Sequence, residues 1–80
     1  MTRESVYERL NSVFRDILDD DTINLKDETV ADDVPGWDSF EHINLIIGVE
    51  EEFKFKVPMN KVVSMKNVGE MVDIILEMGQ

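Results

Sequence analysis

Cysteine is absent from this 80-residue chain, and histidine and tryptophan occur once each. Without cysteine the chain has no disulfide bonds, thiolate metal ligands or cysteine nucleophile, which fits a reducing compartment. With a single histidine it also has few good metal ligands, and we predict no metal site. The two prolines and four glycines form no linker. We therefore predict one small domain that spans residues 1–80.

Long apolar runs are missing as well. The longest such stretch, residues 43–49, is too short to cross a bilayer, so we expect no membrane insertion. The first residues are charged and no hydrophobic stretch follows them, so no signal peptide is expected. An apolar content of 42% is nevertheless enough for a core. These features predict a soluble, cytoplasmic protein, which we expect to be a monomer.

Basic residues are few, at 8 against 18 acidic ones, for a net charge of −10. Residues 16–52 contain 13 of the acids and one base, Lys26, for a local net charge of −12. Such a segment repels phosphate backbones, which makes nucleic acid a poor partner. It attracts proteins with basic surfaces. Charge alone is explained equally well by a need for solubility.

Helical periodicity dominates the chain. The apolar residues between Val6 and Leu18 follow one helical face, with Thr2 as a candidate N-cap and the acidic run 19–21 as the stop. A last helix begins after Asn67 with a capping-box pattern, and a short one is expected over residues 60–64. No segment alternates convincingly as a strand; residues 53–57 come nearest.

The fold predicted from these stretches is all-α. It is a four-helix bundle with a long loop, residues 19–37, between helices 1 and 2, and a short helix 3. The apolar side chains of Ile23, Leu25 and Val30 are expected to pin this loop to the core. Long loops in compact domains tend to be functional.

The second helix is the most informative segment. Asp38 and Glu41 form a capping-box pattern that predicts a helix from Ser39 to about Phe53. At 100° per residue its apolar side chains form two lanes, and a small core can cover only one of them. The exposed lane would be a protein-docking surface, unless the helix is sandwiched and buries both. The core lane comprises Leu45, Ile46, Val49 and Phe53; the other comprises Phe40, Ile43 and Ile47, flanked by Asn44 and Glu51, with Glu41 and Glu52 on the solvent side.

Catalytic and calcium sites find little support. The aspartates of residues 19–33 do not follow the spacing of an EF-hand loop. Ser39 and His42 lie one helical turn apart, but there is no nucleophile elbow and little room for a substrate pocket. His42 is better explained as a partly packed residue on the core side of the helix. We therefore predict that the chain is not an enzyme.

Ser39 is the residue whose predicted position is best suited to holding a phosphate group. It is predicted in the first turn of a helix, where unpaired N–H groups and the macrodipole favour a phosphate. Asp38 caps this turn and Gly36 allows a tight turn before it. The hydroxyl is thereby presented outward to another enzyme.

The pentapeptide Gly36-Trp37-Asp38-Ser39-Phe40 resembles the Gly-x-Asp-Ser-Leu attachment motif of the acyl carrier protein family. The resemblance continues through residues 41–53 and the order and spacing of all four helices. It implies that a phosphopantetheinyl transferase moves 4′-phosphopantetheine from coenzyme A onto Ser39. The arm would carry acyl intermediates as thioesters between enzymes of fatty-acid, polyketide or a related specialised pathway.

The resemblance also implies roles for neighbouring residues. Asp38 would assist metal and transferase recognition. Helix 2 would present Phe40, Glu41, Ile43, Asn44, Ile47 and Glu51 to basic patches on acyl-loading and acyl-processing enzymes. An acyl groove between helices 2 and 3 would be lined by His42, Ile43, Val62 and Met65.

Phe40, in place of the usual Leu, departs from the family pattern, as do Trp37 and His42. These departures favour a specialised carrier. Two alternatives stay open, namely an aminoacyl or peptidyl carrier, which the acidity disfavours, and an unmodified acidic helical adaptor that only binds proteins.

Overall fold

A computed structural model describes residues 1–78 of the chain as an all-α fold. Four α-helices follow one another as α1 (Arg3–Leu18), α2 (Ser39–Phe53), α3 (Met59–Ser64) and α4 (Val68–Met78), and a 3-10 turn (Ala31–Asp33) lies in the loop between α1 and α2. The predicted four helices, long loop and short third helix are confirmed. No strand occurs within these residues, and the weak candidate at residues 53–57 is instead the end of α2 and the turn after it.

Helix α1 begins and ends at the predicted residues. The Thr2 hydroxyl accepts a hydrogen bond from the Ser5 backbone N–H, and the Ser5 hydroxyl lies 3.1 Å from the Thr2 amide in return. At the other end Asp19 adopts a left-handed conformation (φ 52°), and its N–H donates to the Arg15 carbonyl. Asp tolerates this conformation better than most residues do, so the acidic run ends the helix.

The core lies where α1, α2 and α4 meet. Each of these helices contributes one apolar face, and α1 packs against both of the others. The buried side chains from α1 include Val6, Leu10 and Phe14, and those from α4 include Val68, Met71, Val72 and Ile75. Short α3 adds one buried residue, Val62.

The long loop is held against the helices along its length. Ile23 and Leu25 are buried as predicted, Val30 is half-buried, and Val34 adds an unpredicted core contact. The buried Asn11 amide oxygen accepts a hydrogen bond (2.8 Å) from the Leu25 backbone N–H. A buried polar side chain with such a bond satisfies loop backbone that would otherwise be unpaired in the core.

The N-terminus of α4 fixes the next part of the loop. Asn67 caps this helix by accepting from the Glu70 N–H at 2.9 Å, as the sequence pattern predicts. The first helical amides, those of Val68 and Gly69, donate to the Thr29 and Asp27 carbonyls at 2.8 and 2.9 Å. Loop carbonyls therefore satisfy donors that a helix N-terminus leaves without partners inside the helix.

Candidate functional site

The start of α2 places Ser39 at the surface. Gly36 has φ +89°, a left-handed conformation that glycine adopts without a steric penalty, and it lies in the turn that leads into the helix. The Asp38 carboxylate then accepts a hydrogen bond (2.8 Å) from the Glu41 backbone N–H. Asp38 is thus the N-cap, and Ser39 is the first helical residue, with its side chain exposed. Both positions agree with the prediction from the sequence.

The Glu41 side chain, the other half of the predicted capping box, makes a different contact from the one predicted. The Glu41 carboxylate accepts from the side-chain amide of Asn44 at 2.9 Å, one turn along the helix. The box prediction was therefore correct for Asp38 and wrong for the Glu41 side chain. An i, i+3 partner on the helix surface competes with the cap backbone for this carboxylate.

A groove beside Ser39 runs between α2 and α3 and has a volume of about 640 Å³. This is within the usual range for small-molecule pockets, about 300–1,000 Å³. It brings Ser39 together with the four residues that the family resemblance placed in an acyl groove, namely His42, Ile43, Val62 and Met65. The loop contributes Asp32 and Trp37, and α4 closes one side with the buried Met71.

Trp37 and His42 form a bridge across this site that sequence reasoning missed. The indole N–H of Trp37 donates to His42 Nδ1 at 3.1 Å, and the two rings stack 5.9 Å apart with an interplanar angle of 18°. His42 Nε2 lies 3.2 Å from the Val62 carbonyl oxygen of α3. Because Nδ1 accepts and Nε2 faces an acceptor, the arrangement fits the neutral tautomer with the proton on Nε2.

Trp37 also reaches the core. Its ring meets that of the fully buried Phe14 edge-on, with centroids 5.0 Å apart. A continuous series of contacts therefore runs from Phe14 through Trp37 and His42 to Val62. The predicted half-burial of His42 is confirmed. The only sequence signal for the bridge was an aromatic residue between Gly36 and Asp38, and nothing in the pattern indicates its partner.

The two apolar lanes of α2 have the predicted exposures. All four residues of the core lane are buried. In the second lane, by contrast, Phe40 is 77% exposed, Ile43 49% and Ile47 48%. The alternative in which α2 is sandwiched is therefore wrong, because the core covers one side of the helix only. The exposed lane remains an apolar surface with acidic neighbours.

The acidic neighbours are not equivalent. Glu51 is exposed, as the docking hypothesis requires. Glu52 is exposed, as predicted for the solvent side of α2, and it also forms an ion pair with Arg9 of α1 (2.8 Å). That arginine also lies over the Phe53 ring at 4.4 Å, so Glu52 belongs to the contact between α1 and α2. The exposure of Glu52 is as predicted, and only its pairing with an arginine of another helix was not foreseen.

A second charged cluster lies away from Ser39. Arg3 bridges Asp27 and Asp73 at 2.8 and 2.7 Å, and the Tyr7 hydroxyl donates to Asp27. The hydrogen bonds from Tyr7 and then Arg3 lower the pKa of Asp27 below its usual value. Burial and the bond to Asp27 raise the pKa of Tyr7. These contacts join α1, the loop and α4, and they indicate a structural role.

Residues 1–78 contain no group of three or more His, Asp or Glu side chains arranged to hold a metal ion. No helix in this part of the chain is long and apolar enough to cross a membrane.

Comparison with known proteins identifies the class. No protein-family model matches the chain. It is 31% identical over 70 residues to an acyl carrier protein of Clostridium acetobutylicum, across 88% of this chain and 91% of the relative. It is 31% identical over 74 residues to an acyl carrier protein of Clostridium perfringens, across 90% of this chain and 95% of that one.

A solved structure agrees with the sequence relatives. The solution NMR structure of a holo acyl carrier protein from Geobacter metallireducens superimposes with a TM-score of 0.83 and 38% sequence identity. The match covers 90% of this chain and 83% of that one. Fold and relatives together show that the chain belongs to the acyl carrier protein family. The resemblance inferred from the motif is confirmed, and the relatives support an acyl carrier role.

Proposed function

We propose that this protein carries acyl groups as thioesters on a 4′-phosphopantetheine arm attached to Ser39. The observation that carries the proposal is the exposed Ser39 hydroxyl at the first residue of α2, beside a groove of about 640 Å³. The name of the Geobacter metallireducens structure, a holo acyl carrier protein, supports the same assignment. The carrier acts within fatty-acid, polyketide or a related specialised pathway.

The residues at this site fit such a group. A phosphodiester on Ser39 would lie at the N-terminus of α2, where first-turn N–H groups and the helix dipole favour negative charge. Asp38 holds that turn in place by its bond to the Glu41 amide. The groove and the exposed lane of α2 would both lie near the base of the arm, and they share Ile43.

The attachment reaction is a phosphoryl-type transfer to Ser39. The Ser39 oxygen forms a new bond to the phosphorus that bears pantetheine in coenzyme A. The P–O bond within the diphosphate of coenzyme A breaks, and adenosine 3′,5′-bisphosphate leaves. The hydroxyl proton passes to a base on the separate transferase, since among residues 1–78 no side chain accepts a hydrogen bond from the Ser39 hydroxyl. When bound, the arm supplies the thiol that this cysteine-free chain lacks.

The exposed lane and its acidic neighbours are proposed as the surface that partner enzymes recognise. Phe40, Ile43 and Ile47 offer apolar anchors, and Glu41, Asn44 and Glu51 form a polar edge. Basic patches on a transferase or an acyl-processing enzyme would be steered to this edge. In this proposal the chain is a monomeric cytoplasmic carrier of one domain and not itself an enzyme, and Asp38 takes part in transferase recognition.

Mass spectrometry of the intact protein tests the assignment. The apo protein is incubated with coenzyme A and a broad-specificity phosphopantetheinyl transferase, with Ser39→Ala as the variant and Ser64→Ala as a matched control. We expect the wild type and Ser64→Ala to gain one phosphopantetheine each and Ser39→Ala to gain none. A gain on Ser39→Ala would place the arm elsewhere. No gain on any protein would favour an unmodified acidic adaptor.

The acidic adaptor and the aminoacyl or peptidyl carrier are the competing functions. The adaptor uses the same exposed lane but needs no groove beside Ser39, so the groove favours a carrier. The net charge of −10 favours an acyl over a peptidyl carrier. Incubation of the loaded protein with acyl-transferring and amino-acid-activating enzymes would distinguish an acyl carrier from an aminoacyl or peptidyl carrier.

A further inference from the structure

The Trp37–His42 bridge spans the N-terminus of α2, with Ser39 between its two ends. Because Asp38 is the N-cap, Trp37 is the residue before the cap and His42 is the fourth helical residue. Side chains at these two positions often pack together as a hydrophobic staple, which fixes the angle at which the chain enters a helix. Here the contact is also a hydrogen bond of 3.1 Å between stacked rings. The bridge therefore restrains the first turn of α2 in addition to the cap.

The loop end of the bridge is itself held in one conformation. The Trp37 backbone N–H donates to the Val34 carbonyl at 3.1 Å. Pro35 and Gly36 lie between them, and proline followed by a positive φ (+89° at Gly36) is the pattern of a type II β-turn. Val34 is buried, and the Trp37 ring meets the fully buried Phe14 of α1 edge-on. Trp37 is thus anchored to the core as well as to α2.

The helix end of the bridge is anchored to a different element. His42 Nε2 lies 3.2 Å from the carbonyl oxygen of Val62, the buried residue of α3. A neutral imidazole with its proton on Nε2 accepts from Trp37 and donates to α3 at the same time. Ser39 is exposed, so its position depends on the backbone of this turn and not on packing of its own side chain. The bridge ties that turn to both α1 and α3.

We propose that the Trp37–His42 bridge positions Ser39 for attachment of the arm, by holding the first turn of α2 in the orientation that the transferase requires. This inference rests on the proposed function, because arm attachment is the reaction concerned. A hydroxyl that reacts from a fixed position loses less entropy on the way to the transition state than one on a mobile turn. Trp37 and His42 are positioning residues, and neither has to touch the reacting atoms.

Four variants separate the bridge from the general stability of the fold. Trp37→Phe keeps an aromatic ring beside Phe14 and removes the N–H donor. His42→Leu keeps a branched apolar side chain and removes both polar contacts, whereas His42→Gln again offers an acceptor and a donor on one side chain. The control, Ile75→Val, trims a fully buried side chain of α4 and lowers the thermal midpoint without changing a residue of the turn.

Steady-state loading with coenzyme A and a broad-specificity phosphopantetheinyl transferase gives kcat and KM for each carrier. For Trp37→Phe and His42→Leu we expect kcat to fall by about two- to tenfold, the range that loss of one hydrogen bond supports. KM should change little, because the exposed lane of α2 is unaltered. His42→Gln should recover most of the loss, and Ile75→Val should load as the wild type does. Because Trp37 and His42 share one contact, the double variant should lose no more than either single one.

A second readout needs no arm. In the unloaded protein, ¹⁵N relaxation gives the order parameter of the Ser39 amide, which is about 0.85 for rigid backbone and below about 0.6 for a flexible segment. We expect the rigid value in the wild type and in Ile75→Val, and a lower value in Trp37→Phe and His42→Leu. If His42→Leu does not fold, Trp37→Phe and His42→Gln provide the same comparison.

Four results would overturn the inference. The first is a wild-type kcat in the variants that lack the bridge, and the second is a loss that appears in KM alone, which would make these residues contacts of the transferase. The third is an equal loss of kcat in Ile75→Val, and the fourth is a Ser39 amide that is equally rigid in every variant. A wild-type protein that gains no mass would instead contradict the proposed function, and the order parameter would still test the bridge.

Discussion

Gly69, at the start of α4, is the position where one added methyl group should do most damage. A Cβ there would lie 2.9 Å from the Asp27 carbonyl oxygen and 3.2 Å from the Asp27 Cβ. The backbone oxygen cannot rotate away as a side-chain tip can. The same oxygen accepts the Gly69 N–H at 2.9 Å, so moving the loop also breaks that bond and strains its neighbour from Val68 to Thr29.

The expected cost of Gly69→Ala follows from these contacts. Overpacking costs about 1–3 kcal/mol and each weakened backbone hydrogen bond about 0.5–1.5 kcal/mol, while the better helix propensity of Ala returns about 1 kcal/mol. With the bonds of both Gly69 and Val68 affected, these terms give a net loss of about 1–5 kcal/mol. In a domain of this size that lowers the thermal midpoint by at least about 4 °C.

Gly48→Ala is the matched control. A Cβ at Gly48 would lie 2.6 Å from Ile17 Cδ1 and 3.1 Å from Val13 Cγ1, which are ends of side chains on α1. Rotation of Ile17 can relieve the contact, and the gain of about 1 kcal/mol in helix propensity offsets part of the cost. Thermal melts followed by circular dichroism compare the two variants. A Gly69→Ala protein as stable as the wild type, or more stable than Gly48→Ala, would refute the reasoning.

Three further predictions concern the cap, the charged cluster and the docking surface. Asp38→Ala should lose the N-cap of α2, lower the thermal midpoint by an amount that corresponds to about 1 kcal/mol, and slow arm attachment; unchanged midpoint and unchanged rate would contradict both roles. The pKa of Asp27 is lower in the folded protein than in the unfolded chain, where it is about 3.9. The ionised carboxylate therefore stabilises the fold above about pH 4, and this stabilisation is lost as the pH falls through the pKa of the folded state. Melts below about pH 4 should therefore show a steeper loss for the wild type than for Asp27→Asn, and parallel curves would refute this. Ile47→Ala should mainly speed dissociation from the transferase, by about tenfold for about 1.4 kcal/mol, with little loss of thermal stability. Glu51→Lys should mainly slow association with the transferase at low salt. Two results would count against docking on this surface: a large fall in the thermal midpoint of Ile47→Ala, or an association rate that does not depend on salt.

Helix boundaries and exposures were predictable because they depend on local chemistry. The start of α2 follows from the Asp38 cap, and the two lanes follow from a helical period that places Ile47 and Ile46 on different sides. The same local logic predicted the end of α1 at Asp19. The family motif then directed attention to Ser39.

The contacts between distant segments could not be predicted in the same way. Nothing local pairs Arg9 with Glu52, 43 positions apart, or brings the loop carbonyl of Asp27 against Gly69. The Trp37–His42 bridge needs both the turn at Gly36 and the position of α3, so its residues were noted only as departures from the family pattern. Val34, buried in the loop, was missed because no periodicity marks it.

The central claim is that Ser39 bears the arm in the cell, and peptide mapping of protein purified from its native host tests it most directly. The peptide that contains Ser39 is analysed by tandem mass spectrometry for a phosphodiester-linked pantetheine and for any acyl group on its thiol. The account predicts a phosphopantetheine on Ser39, with a fraction of it acylated. A Ser39 peptide that is unmodified throughout growth, while the protein is abundant and bound to partners, would contradict the account.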